Sequence, residues 1–110
     1  MKIGIPMQQD SKQGLIALHF ARAKYFAVVD SETNLLEVLP NPCLGMSAQA
    51  GKCSLLYLIS RKEVDSIVAY ELGYKVQQIA NDNNIRLILI NRKNKKLSQL
   101  LKLMNFNIKE

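Results

Sequence analysis

Apolar residues in this chain fall in short blocks, and the blocks keep two different rhythms. Lys2–Met7 is a short apolar run closed by a polar stretch and predicts a buried strand. Tyr25–Asp30 predicts a second strand and Leu35–Leu39 a third, joined by the turn Ser31-Glu32-Thr33-Asn34 into a hairpin. Pro40-Asn41-Pro42 stops that hairpin, because proline has no amide hydrogen to give to a ladder. Ser47 is placed to open a helix running to about Ser60, with Leu55, Leu56 and Ile59 as its inner face. Ser66–Ala69 is a fourth strand, β-branched at Ile67 and Val68. After the break at Gly73, Val76, Ile79 and Ala80 recur at helical spacing, ending at Asp82-Asn83-Asn84. Arg86–Ile90 is a fifth strand and Asn91–Asn94 a turn. Leu97, Leu100, Leu101 and Met104 then mark an amphipathic third helix.

The order is β-β-β-α-β-α-β-α within one domain of 110 residues. Three consecutive strands can form an antiparallel meander, and the two later strands should join through right-handed helical crossovers. The expected result is an α/β fold with a five-stranded mixed sheet in the order 3-2-1-4-5. Chain direction then brings four connections to one edge: Gln8–Lys24, Pro40–Met46, Tyr70–Gly73 and Asn91–Asn94. His19, Arg22, Cys43, Met46, Cys53, Glu71, Arg92 and Lys93 are expected to face that side, the edge where open α/β sheets bind ligands.

Charge and composition narrow the chemistry. Residues 1–85 hold 8 basic and 8 acidic side chains, whereas residues 86–110 hold 7 basic ones and only Glu110. The net charge of +6 therefore sits in the last quarter, a positive field suited to anions or an acidic protein partner. Aromatic residues are only 6%, and among the basic cluster only Phe106 interleaves, so nucleic-acid binding by stacking has little support. No apolar run approaches the roughly 18 residues of a membrane span, and the start lacks a signal peptide's apolar stretch. Two cysteines do not make a disulfide scaffold, so a reducing cytoplasm is the expected setting.

Catalytic patterns are not legible. Strand Lys2–Met7 has no carboxylate, and Asp10, Asp30 and Glu71 are too scattered for two-metal hydrolysis. One histidine supports no nucleophilic triad. Gly51-Lys52-Cys53-Ser54 fails as a phosphate loop, because a cysteine stands where Ser or Thr must bind Mg²⁺; a helix start there still offers backbone N–H groups to an anion.

One stretch, Leu18-His19-Phe20-Ala21-Arg22-Ala23-Lys24-Tyr25-Phe26, resembles the His-Phe-Gly-Arg segment of the dinitrogenase iron–molybdenum cofactor biosynthesis family, the NifX/NafY-like domains. The opening Lys2-Ile3-Gly4-Ile5-Pro6, the turn Pro40-Asn41-Pro42 and the pair Leu72-Gly73 fit the same pattern in order, over roughly residues 1–90. Ala21 stands where that family usually has glycine. The resemblance implies a ribonuclease-H-like three-layer α/β/α fold. It also implies a non-catalytic, cytoplasmic carrier that binds an iron–molybdenum or related metal–sulfur cluster in cofactor biosynthesis for nitrogen fixation. His19 would be a metal ligand, with Arg22, Arg92 and Lys93 as charge partners of the cluster. Cys43, in a loop after two prolines, is the second candidate metal ligand as an exposed thiolate; Cys53 reads as a buried small hydrophobe. The alternative is a metal-free interaction or regulatory module whose Leu97–Met104 helix and basic flank dock an acidic protein.

Overall fold

The central strand sets the layout by its alternation. In the computed structural model, which describes residues 1–91 and 95–106, β1 (Lys2–Met7) sends Ile3, Ile5 and Met7 into one core. Gly4 and Pro6 face the opposite side, since successive side chains of a strand alternate. β2 (Tyr25–Asp30) lies antiparallel to β1, from Lys2↔Asp30 to Met7↔Tyr25. It divides its residues the same way: Phe26 and Val28 to one core, Ala27 and Val29 to the other. β3 (Leu35–Pro40) completes the meander antiparallel to β2. β4 (Ser66–Ala69) pairs parallel with β1, and β5 (Arg86–Leu89) pairs parallel with β4. The sheet order is β3-β2-β1-β4-β5, as the chain direction required.

Helices cover both faces, giving three layers. α1 (Ala50–Lys62) and α2 (Tyr74–Asp82) pack with Phe26, Val28 and Ile67 through Leu55, Leu58, Val76 and Ala80. α3 (Leu97–Leu103) covers the other face with Leu97, Leu100 and Leu101. No helix among the described residues is long and apolar enough to cross a membrane.

One expectation changes. The inner stripe of α1 is Gly51, Ser54, Leu55 and Leu58, spaced i, i+3, i+4, i+7, while Leu56 is 39% exposed and Ile59 only partly buried. A 3₁₀ turn at Ser47–Gln49 precedes α1, so the α-helix proper starts at Ala50 and its phase follows Gly51 rather than Leu56. The Gln8–Lys24 connection is pinned along its length. Isolated bridges join Met7 to Ile16 and Leu15 to Lys96, and Ile16 and Ala17 are buried. The Ala17 N–H donates to the Pro6 carbonyl at 2.8 Å. Pro6 is tolerated in the central strand because pairing with β4 involves only Ile3 and Gly4, so no ladder there requires its missing N–H.

The phase of α1 is checked by paired truncations. Leu58→Ala should cost about 2–5 kcal/mol in a denaturant titration, and Leu56→Ala no more than about 0.5 kcal/mol. Equal losses would contradict the orientation of the helix.

Candidate functional site

Three segments build the site, and a buried side chain fixes them to one another. Asn41 follows β3 and is 7% exposed. Its Nδ2 donates to the Ala23 carbonyl at 2.8 Å, at the end of a 3₁₀ turn spanning Phe20–Arg22. Its Oδ1 accepts from the Cys43 N–H at 2.9 Å and from the Ser54 hydroxyl at 3.2 Å. One amide thus ties the 3₁₀ turn, the loop after β3 and the first half of α1 together. A buried amide with its donor and acceptor both used is inexpensive in place and costly to remove.

A further contact sets the spacing of the walls. A Cβ built on Gly51 would meet Val76 Cγ2 at 2.7 Å and Ala21 Cβ at 3.6 Å. Glycine lets the start of α1 approach Val76 of α2 this closely, whereas the distance to Ala21 in the 3₁₀ turn is ordinary van der Waals contact. Ala21 itself lies in the 3₁₀ turn and has no positive φ, so the missing glycine at that position leaves the backbone unstrained.

Between these segments lies an open cavity of about 1280 Å³. The 3₁₀ turn supplies His19 and Arg22 at one side, the start of α1 supplies Lys52, and Glu71 and Lys75 flank the start of α2. The His19 Nδ1 lies 3.0 Å from Glu71 Oε1, and the two residues also form a parallel backbone bridge. A proton on Nδ1 is needed for that contact, which leaves Nε2 of the neutral ring with its lone pair for a ligand. The imidazole is 49% exposed, so the pairing orients it without sealing it away. Among the described residues, neither ion pair formed, His19–Glu71 or Lys62–Glu37, involves Arg22.

Helix starts add to the positive character. The first turns of α1 and α2 both line the cavity and neither has an acidic residue; the Gln49 side chain does not cap α1, and Gly73 has no side chain to cap α2. The α2 end is the more open of the two. At α1 the Gln49 and Ala50 N–H groups are already taken up by the preceding 3₁₀ turn. Three permanent cations and two positive dipole ends therefore face a single carboxylate that is engaged with His19.

His19, Arg22 and Glu71 are brought together as the chain direction implied. Cys43 is not an exposed thiolate: it is 1% exposed and disulfide-bonded to Cys53, so its sulfur has no lone thiolate to offer a metal. The burial of the two cysteines is the reverse of the expectation, because the loop after β3 turns inward at Asn41 while Cys53 sits on a partly exposed flank of α1. Arg92 and Lys93 lie outside the described residues; Asn91 and Lys95 beside them do not line the cavity. Met46 is 48% exposed and also off the cavity wall. Lys75 and Tyr74 escaped the sequence reading, since a lysine in a polar helix face carries no signal until the first turn of α2 is placed opposite His19.

Comparisons with known proteins agree with this architecture. A family model described as "Dinitrogenase iron-molybdenum cofactor" matches residues 1–105. No curated protein matches the chain. Among solved structures, the apo form of the orange protein (ORP) from Desulfovibrio gigas superposes with a TM-score of 0.84 at 21% identity, covering 94% of this chain and 86% of that one. A putative NifB protein from Thermotoga, assigned to the DUF35 family, gives a TM-score of 0.77 at 19% identity, covering 96% and 88%. These similarities show a shared fold.

The role of Asn41 is checked by truncation. Asn41→Ala strands the Ala23 carbonyl, the Cys43 N–H and the Ser54 hydroxyl, and should cost at least about 2 kcal/mol. Amide exchange at residues 19–23 should rise more than in β1. A variant as stable as the parent would show that the three segments hold together without it.

Proposed function

Because the chain belongs to the dinitrogenase iron–molybdenum cofactor family, we propose that its cavity takes a preformed anionic metal–sulfur cluster, of the iron–molybdenum type or a relative, and that the protein carries it without transforming it. The observation that carries this reading is the convergence of one oriented imidazole with Arg22, Lys52 and Lys75 on the wall of a single cavity.

The donor set favours a finished cluster over a bare ion. Among the described residues no group of three His, Cys, Asp or Glu could hold a metal ion. A cluster with its own sulfide ligands needs little from the protein beyond one nitrogen at a metal and a matching positive surface. Arg22 suits that surface, because its planar fork gives several donors to sulfur or oxygen atoms and no carboxylate competes for it among the described residues. Lys52 and Lys75 act as point charges on the other side. Glu71 holds the ring through Nδ1 and so fixes its orientation and leaves Nε2 for the cargo. The wall offers the cargo anchoring and charge neutralisation, and its one carboxylate is already spoken for.

Anaerobic reconstitution with a preformed anionic metal–sulfur cluster, read by visible absorption and metal content, tests the site. His19→Ala should abolish the nitrogen ligand and lower affinity by about 10-fold or more, and Glu71→Gln by about 10-fold. Arg22→Gln should weaken uptake most at low salt, since the Debye length is only about 10 Å at 0.1 M. Thermal stability of all three should stay near that of the parent, because these side chains are exposed. Equal uptake by the parent and His19→Ala would remove the histidine from the site.

A further inference from the structure

The disulfide between Cys43 and Cys53 has a placement that a structural staple does not need. It closes the segment that forms one wall of the cavity: Leu44, Gly45, Ser47, Ala48, Gln49 and Lys52 all line the cavity between the two half-cystines. Residues 44–49 are all exposed. The Met46 N–H donates to the Cys43 carbonyl at 3.2 Å and the Gln49 N–H to the Met46 carbonyl at 3.1 Å, so these bonds tie the stretch to itself. Backbone at Gly45 and Ser47 is left-handed, at φ 91° and 51°. Such a segment has low local stability unless its ends are fixed. Asn41 Oδ1 accepts from the Cys43 N–H at one end and from the Ser54 hydroxyl of α1 at the other, and the disulfide adds the covalent link between them at a Cα–Cα distance of 5.8 Å.

We propose that Cys43–Cys53 is a reversible redox clasp that locks this wall when oxidised and frees it when reduced. The two sulfurs are unequal, which gives the reaction an order. Cys43 is 1% exposed and Cys53 partly exposed, one turn into α1 and beside Lys52. A thiolate of a dithiol reductant attacks the Cys53 sulfur; the S–S bond breaks and the electron pair leaves on Cys43, which takes up a proton. The second thiolate of the reductant then attacks its own sulfur in the mixed disulfide. That expels Cys53 as the leaving thiolate. Cys53 then takes up a proton in its turn, so the dithiol ends as a disulfide and the protein has gained two electrons and two protons. With the clasp open, residues 44–49 are held only through their chain ends, and the cavity widens on that side. The mobility does not depend on what the cavity carries; release of a cluster on reduction rests on the function proposed above.

Hydrogen exchange on the unloaded protein tests the clasp. After air oxidation, no thiol should react with an alkylating reagent, and a dithiol should expose two. Reduction should accelerate exchange at residues 44–49 by about tenfold or more while β1, β2 and β4 keep their protection. The double variant Cys43→Ser, Cys53→Ser should behave like the reduced protein with or without dithiol. Two reactive thiols after air oxidation would overturn the proposal. So would unchanged exchange at 44–49 on reduction, or acceleration throughout the sheet, which would make the pair a global staple.

Discussion

A single buried amide holds the functional end of this molecule together. Asn41 links the end of the Phe20–Arg22 turn, the loop after β3 and the first half of α1 through three hydrogen bonds. None of those segments is a strand, and the sheet alone would not fix their relative positions. The sheet supplies the frame: β1 and β4 run parallel and end at the same edge, so the turn after β1 and the start of α2 meet there. Asn41 and the close approach at Gly51 convert that neighbourhood into walls of defined spacing.

The character of the cavity follows from what those walls leave unpaired. Arg22 has no ion-pair partner among the described residues, and Glu71 is committed to His19. The first turns of two helices add positive ends with no acidic side chain to offset them. Self-repulsion among exposed cations is modest in water, but it is relieved when an anion arrives, which makes such a surface selective for charge before shape. The imidazole adds direction to that field, because the carboxylate behind it fixes which nitrogen faces outward.

Much of the frame was legible in the sequence because strands announce themselves by length and by what bounds them. Lys2–Met7, Tyr25–Asp30 and Ser66–Ala69 have the expected limits. Chain direction then sufficed to place His19, Arg22 and Glu71 on one edge. The phase of α1 was not legible, because Leu55, Leu56, Leu58 and Ile59 give an almost continuous apolar run, and only the 3₁₀ turn before it decides which face turns inward. The Cys43–Cys53 bond was hidden for a related reason. A separation of 10 along the chain says nothing until the loop folds back on the helix it precedes. Lys52 and Lys75 join the site through the meeting of two helix starts, a tertiary fact with no local pattern. The concentration of charge after residue 85 pointed instead to Arg92 and Lys93, which lie outside the described residues, while Lys95 next to them is off the cavity wall.

The proposed function is a matter of position: it puts the cargo between the Phe20–Arg22 turn and the starts of α1 and α2, with metal on Nε2 of His19. Anomalous-scattering crystallography of the loaded protein locates metal directly. The account predicts metal density inside this cavity, with one atom at coordination distance, about 2.0–2.2 Å, from His19 Nε2. Density on the α3 face of the sheet, or in the cavity but beyond reach of that nitrogen with Arg22 turned away, would contradict it.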